Sequence, residues 1–169
     1  MIIDIVSIPQ LQFEKVHFYS VMLEGKKISE FKDFSARMGK EDRDRIELAE
    51  INRYIERIGN VYGAQPVHFR DEDAAEGLPP PYHQFLQSDE ANDFGLRLYC
   101  IRLSPSVVIL LNGDRKTSLK VRDCKNCFPY FDLARGLAVK ITKAILEGYI
   151  EIDEETNELL IDEDFELTN

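Results

Sequence analysis

The stretch from Ser106 to Ser118, SVVILLNGDRKTS, constrains the chain most. Five consecutive apolar residues, Val107 to Leu111, read as a buried strand. Asn112-Gly113 then turns the chain, and Asp114, Arg115, Lys116 and Thr117 follow at once. A buried strand that ends this way is either solvated punctuation or a platform holding cations beside a phosphate.

The neighbouring residues supply the strand's partner. Leu96–Leu103 and Ser106–Leu111 form an expected antiparallel hairpin around Ser104-Pro105. Period-two alternation places Leu96, Leu98 and Cys100 on one face and Arg97, Tyr99 and Ile101 on the other. Upstream, Ile2–Ile8 reads as a first strand and Leu11–Leu23 as a second, closed by a turn at Glu24–Lys27. Ser29 is an expected N-cap for a helix carrying Phe31, Phe34 and Met38, which Gly39 ends. Leu48, Ile51, Ile55, Ile58 and Tyr62 make one apolar stripe on a second helix, with Arg43, Arg45, Glu47, Glu50, Arg53, Glu56 and Arg57 on its other face. Gly63–Gln87 reads as a loop stiffened by three consecutive prolines. Pro129–Leu146 is an expected helix, and the residues after it alternate apolar and acidic about a polar turn, a closing β-hairpin. The pattern is α+β with an antiparallel sheet rather than βαβ units.

At 169 residues and 44% hydrophobic content the chain suits a single domain, with a body over 1–146 and an acidic hairpin extension over 147–169. Mean hydropathy is −0.30, and no apolar run approaches the roughly 20 residues of a membrane span. The first ten residues lack a basic region and a cleavage site, so they read as a strand and not as a signal peptide. Three cysteines, Cys100, Cys124 and Cys127, are no disulfide framework, and a reducing cytoplasm is the expected compartment.

A net charge of −10 argues against a polyanionic partner, but its distribution changes that. Ten acids and no Lys or Arg lie from Glu147 onward, while Phe94–Ala144 carries ten bases against three acids. The basic middle suits an anionic partner, or the tail acts as its intramolecular mask.

Cys124-Lys125-Asn126-Cys127 is a lone CxxC. Zinc needs about four ligands, with Cys100 as the one further candidate, and a redox dithiol is expected in a βαβ context that is missing. Two ordinary cysteines at a helix start are the simpler reading. No P-loop, HExxH, dinucleotide fingerprint or Gly-x-Ser-x-Gly elbow is present. Cations beside aromatics do recur: Arg97 with Tyr99 on one strand face, Arg115 and Lys116 after the adjoining strand, His68 and Arg70 in the long loop. Such a group can hold a phosphate and stabilise phosphoryl transfer, or pair with the many acids.

Phe18–Met38, FYSVMLEGKKISEFKDFSARM, is similar to the opening of the HigB-like, phage-derived branch of the RelE/ParE toxin superfamily. Gly95–Ser118 resembles that family's second signature, an arginine-bearing strand, a turn, an apolar strand and a basic pair with Thr. Asp132–Ile141 sits where those proteins have a closing helix, and the resemblance covers roughly Phe13–Ile145. It departs from the pattern at Phe85-Leu86-Gln87, where members carry Glu-Leu-Arg, and in its long Pro-rich loop and acidic tail.

The resemblance implies a small antiparallel sheet with two N-terminal helices and one C-terminal helix packed on it, a RelE-like fold, plus the acidic hairpin. It implies an mRNA endoribonuclease, commonly acting on the ribosome and blocked by a cognate antitoxin, with no cofactor and no metal. In that chemistry the RNA's 2′-hydroxyl attacks the scissile phosphate, helped by a base, an acid and cations. Carried over, Arg97 matches the strand arginine and Arg115 and Lys116 the basic pair, with His68 and Arg70 in the middle loop. The candidate catalytic set is Arg97, Tyr99, Arg115, Lys116 and His68, with Arg70, Lys120 and Arg122 as nucleic-acid contacts. The alternative is a non-catalytic module of the same fold whose basic strip takes an acidic partner or the protein's own tail. A zinc module through Cys100, Cys124 and Cys127 is a third reading.

Overall fold

The computed structural model describes residues 1–83 and 92–169; Phe85-Leu86-Gln87 lies outside them. Strands β1 (Ile2–Gln12) and β2 (His17–Leu23) form an antiparallel hairpin. Helix α1 (Glu30–Met38) starts where the Ser29 hydroxyl accepts the Lys32 N–H, and it buries Phe34 and Met38. Helix α2 (Asp42–Arg57) buries Leu48, Ile51 and Ile55, then widens into a π-helical turn, Ile58–Tyr62, that stops at Gly63 with φ 74°. A short hairpin follows, β3 (Arg70–Glu72) and β4 (Ala75–Leu78). The longer hairpin of β5 (Leu96–Ser104) and β6 (Val107–Arg115) leads through a 3₁₀ turn at Val121–Asp123 into α3 (Phe128–Leu146). The chain closes with β7 (Ile150–Ile152), β8 (Leu159–Ile161) and β9 (Leu167–Thr168).

The sheet corrects the expectation drawn from the toxin resemblance. It is α+β, but among the described residues the main sheet is large and mixed: seven strands in the order β3-β4-β5-β6-β2-β1-β9, with three α-helices. β2 lies parallel to β6, with His17 opposite Val107, so the small antiparallel RelE-like sheet with two leading helices is overturned. The β1–β2 hairpin precedes both helices, β1 runs to Gln12 rather than Ile8, and short strands extend both edges. β3, β4 and β9 are two to four residues long, too short for period-two alternation to register.

Helices cover both faces of the sheet. Val107, Ile109 and Leu111 pack with Tyr99, Ile101 and the α3 residues Phe131, Leu137 and Ile141. Val108 and Leu110 pack on the other side with Leu96, Leu98, Phe34, Ile51 and Ile55. The uninterrupted apolar run of β6 follows from burial on both faces.

β7 and β8 pair as a hairpin, and β9 adds antiparallel to the β1 edge, where Lys140 Nζ donates to the Thr168 carbonyl at 2.6 Å. The tail's acids are nearly all exposed, and among the described residues none forms an ion pair with Arg97, Arg115, Lys116, Lys120 or Arg122. Among the described residues no helix is long and apolar enough to cross a membrane.

Candidate functional site

A bulge shapes the end of β6. Leu98 pairs with Gly113 and Cys100 with Leu110, so Tyr99 opposes both Leu111 and Asn112. Asn112 is 2% exposed, and its amide donates to Glu30 Oε2 at 2.8 Å and Asp33 Oδ2 at 2.9 Å. Its Oδ1 accepts from Arg37 Nη2, whose guanidinium also reaches Asp33, Asp114 and the Gly113 carbonyl and lies over the Tyr130 ring. Burial pushes the Asp33 carboxyl up, but bonds from Asn112 and Arg37 outweigh it and hold it below its ordinary value. A cavity of ≈ 420 Å³ opens beside this clamp, lined by Lys26, Glu30, Asp33, Arg37, Asn112 and Tyr130. Both carboxylates are engaged, so the network fastens α1 to β6.

Arg115 is also engaged, on α2. Its Nε and Nη2 donate to Asp44, Nη2 to Glu47, and Nη1 to Asp93 at 2.8 Å. Arg43 pairs with Asp93 as well. Glu47, grouped by the sequence pattern with the polar face, is 3% exposed and accepts the Leu96 N–H. Lone acids on a helix face gave no signal of this; the partner is 68 residues away.

The remaining cations converge elsewhere. Arg97 and Tyr99 point from β5 toward the α3 side of the sheet, and Arg70 on β3 and Lys116 after β6 share their electrostatic neighbourhood. Burial, then the nearby Arg70, lowers the Arg97 guanidinium to about 10. Burial and Arg97 lower Lys116. Glu72, which sequence reasoning passed over, faces all three cations, and burial raises its carboxyl. None of these three cations makes an ion pair within 4.0 Å among the described residues. Arg97 Nη1 donates to the Phe94 and Leu96 carbonyls, Arg70 donates to those of Pro79 and Pro80, and Lys116 sits over the Phe94 ring. Arg97 Nε is buried and without a hydrogen-bond partner, and the buried Tyr99 hydroxyl has the weak Cys127 thiol beside it. Burial and the neighbouring Cys127 thiol raise Tyr99, so its hydroxyl keeps its proton and remains a donor.

The other candidates lie apart. His68 joins an aromatic group: Nδ1 meets the Tyr54 hydroxyl at 2.9 Å, and its ring stacks on Tyr62 at 4.5 Å between centroids. Lys120 and Arg122 are exposed on the approach to the 3₁₀ turn and on the turn itself. Cys100 packs in the α1–α2 core while Cys124 and Cys127 pack in the α3 core, so the sheet separates the three thiols of the zinc reading. Among the described residues no three His, Cys, Asp or Glu side chains form a metal-holding group.

Burial lowers the His68 pKa below 6.5. The unfolded chain therefore takes up this proton at higher pH than the folded one, and His68 subtracts stability as pH falls through 6.5 toward the folded value. His68→Gln is expected to lose less stability than the parent between about pH 7 and about pH 5. Urea midpoints at both pH values check this, and equal losses in the two proteins would refute it.

Comparison of the chain with protein-family models, with curated proteins and with solved structures finds no match.

Proposed function

We propose that the chain binds a small anionic ligand, bearing phosphate or carboxylate oxygens, among Arg70, Arg97, Tyr99 and Lys116. The observation that carries this reading is Arg97, 6% exposed with an unpartnered Nε, beside the wholly buried Tyr99 hydroxyl, which has the weak Cys127 thiol next to it. A buried donor left without an acceptor costs about 1–3 kcal/mol. Three cations crowded around one carboxylate add repulsion of their own. An anion offsets both by accepting from Arg97 Nε and Tyr99 and neutralising Lys116 and Arg70. The nearby α3 terminus adds little, because the Phe128 and Phe131 N–H groups already donate to the Cys124 and Cys127 carbonyls.

The convergence of Arg70, Arg97, Tyr99 and Lys116 also favours the second reading, a metal-independent endoribonuclease with a cognate antitoxin as partner. There Arg97 and Lys116 would neutralise the phosphate, Tyr99 would donate a proton, and Glu72, beside all three cations, would act as base.

Inorganic phosphate, added at constant ionic strength, is expected to raise the melting temperature of the parent by several degrees and leave Arg97→Met unmoved. At about 100 times Kd, binding contributes about 2.7 kcal/mol. Equal shifts in both proteins, or none in the parent, would overturn the binding reading. Cleavage of mRNA by the parent and not by Arg97→Met would replace it with the nuclease.

A further inference from the structure

We propose that Cys124 and Cys127 are a thiol modification site, oxidised by a hydroperoxide to a reversible disulfide at the start of α3. The inference goes beyond anion binding and does not rest on it.

The two residues occupy one tight turn. Cys124 closes the 3₁₀ turn, Cys127 is the N-cap of α3, and the Cys124 carbonyl accepts the Phe128 N–H at 2.9 Å. A turn holds the Cα atoms of residues three apart within roughly 7 Å, and a disulfide spans roughly 4.4–6.8 Å. Both sulfurs lean on consecutive carbonyls at the end of β6: Cys127 Sγ donates to Asp114 O at 3.4 Å and Cys124 Sγ to Arg115 O at 3.9 Å. A side-chain hydrogen bond between Cys127 and Cys124 brings the two sulfurs together. Cys100 lies in the core across the sheet, so it offers no rival pairing.

The surroundings give the thiols different roles. Cys124 Sγ accepts from the Thr117 N–H at 3.4 Å and lies 3.6 Å from the Thr117 hydroxyl. Burial pushes this thiol up, but the donors from Thr117 and Cys127 outweigh it and favour the thiolate. Burial and the adjacent Cys124 push Cys127 up to about 12, so it waits as a thiol. Both cysteines are buried, at 0% exposure, but the exposed Asp123, Lys125 and Asn126 flank them in the turn, so a local opening of this segment suffices to admit a peroxide little larger than water.

The step balances. The Cys124 thiolate attacks the O–O bond of hydrogen peroxide, forms a sulfenic acid and expels hydroxide. Cys127 gives up its proton and attacks the sulfenic sulfur, and the second oxygen leaves as water. Two thiols lose two electrons, one peroxide becomes two waters, and two thiols of glutathione reverse the change.

The test treats the full chain with one equivalent of hydrogen peroxide, alkylates it under denaturing conditions and maps the peptides by mass. The parent is expected to show a Cys124–Cys127 disulfide, a mass two hydrogens below the reduced form, and Cys100 as the alkylated thiol. Cys127→Ser is expected to stop at a sulfenic acid on Cys124 that a dione reagent traps, and Cys124→Ser to react about tenfold more slowly than the parent. Three alkylated thiols in the treated parent, or a disulfide through Cys100, would overturn the proposal. The readout in the parent needs no variant to fold. The phosphate-dependent melting shift is a separate measurement, so failure of either idea is recognisable.

Discussion

Arg115→Ala is expected to cost about 3–5 kcal/mol, a large fraction of the roughly 5–15 kcal/mol that holds a typical domain folded. The loss comes from what the guanidinium leaves behind. Its side chain is 14% exposed and binds Asp44, Glu47 and Asp93, of which Glu47 and Asp93 are 4% and 5% exposed. Burial works against the charge, but the Glu47 and Asp44 bonds outweigh it and raise the Arg115 pKa, so the pairs hold in the fold. Without Arg115, Arg43 still faces Asp93 and, at 4.0 Å, Glu47, while Asp44 loses both bonds it accepts from Arg115. Urea unfolding of the parent, Arg115→Ala and Arg115→Lys measures the effect. Lys keeps the charge but cannot reach three acceptors with one fork, so it should restore part of the midpoint. An unchanged midpoint for Ala would show that the carboxylates are satisfied without Arg115. The outcome governs how activity assays are read: loss of function in Arg115→Ala reports unfolding, whereas loss in Arg97→Met reports the cationic cluster.

The same residue shows where sequence reasoning reaches and where it stops. Local chemistry was legible. Ser29 caps α1, the Leu48–Ile51–Ile55 stripe faces the core, and the β5–β6 hairpin puts Arg97 and Tyr99 on one face and Leu98 and Cys100 on the other. Side-chain partners were not. Arg115 looks like a free cation after a strand, yet Asp44 and Glu47 lie 71 and 68 positions upstream, and nothing local pairs them. Among the described residues the basic window from Phe94 to Ala144 is answered partly by α2 acids, and by an ion pair to the acidic tail at Lys143, 3.8 Å from Glu147. The parallel β2–β6 pairing was hidden for a related reason: the residues between the two strands could equally have returned the chain antiparallel, and the doubly buried β6 accepts either direction, pairing antiparallel with β5 and parallel with β2. The Asn112 clamp is spread over α1 and β6, so Glu30, Asp33 and Arg37 each read as ordinary helix surface.

Gly113→Ala is expected to be nearly as damaging, at about 3 kcal/mol or more, and it tests the geometry that seats Arg97. A Cβ at Gly113 would stand 1.7 Å from the Arg97 carbonyl oxygen and 2.8 Å from its carbonyl carbon. Both are backbone atoms of the neighbouring strand, so no side-chain rotation relieves the clash; β5 and β6 must separate at the bulge where Leu98 meets Gly113. Separation there moves Arg97 relative to Lys116 and strains the Asn112 clamp, which bonds the Gly113 N–H and, through Arg37, the Gly113 carbonyl. Gly136→Ala supplies the control. Its added Cβ meets only Asn169 Oδ1, at 3.9 Å, and an alanine within α3 should gain up to about 1 kcal/mol over glycine. Urea midpoints should therefore move in opposite directions, and the phosphate-dependent melting shift should weaken in Gly113→Ala while persisting in Gly136→Ala. If Gly113→Ala kept both its midpoint and its phosphate response, the close approach of the strands would not be what positions Arg97. If the midpoint fell while the response survived, the bulge would serve the fold alone, and the anion site would owe its geometry to β3 and the rest of β5.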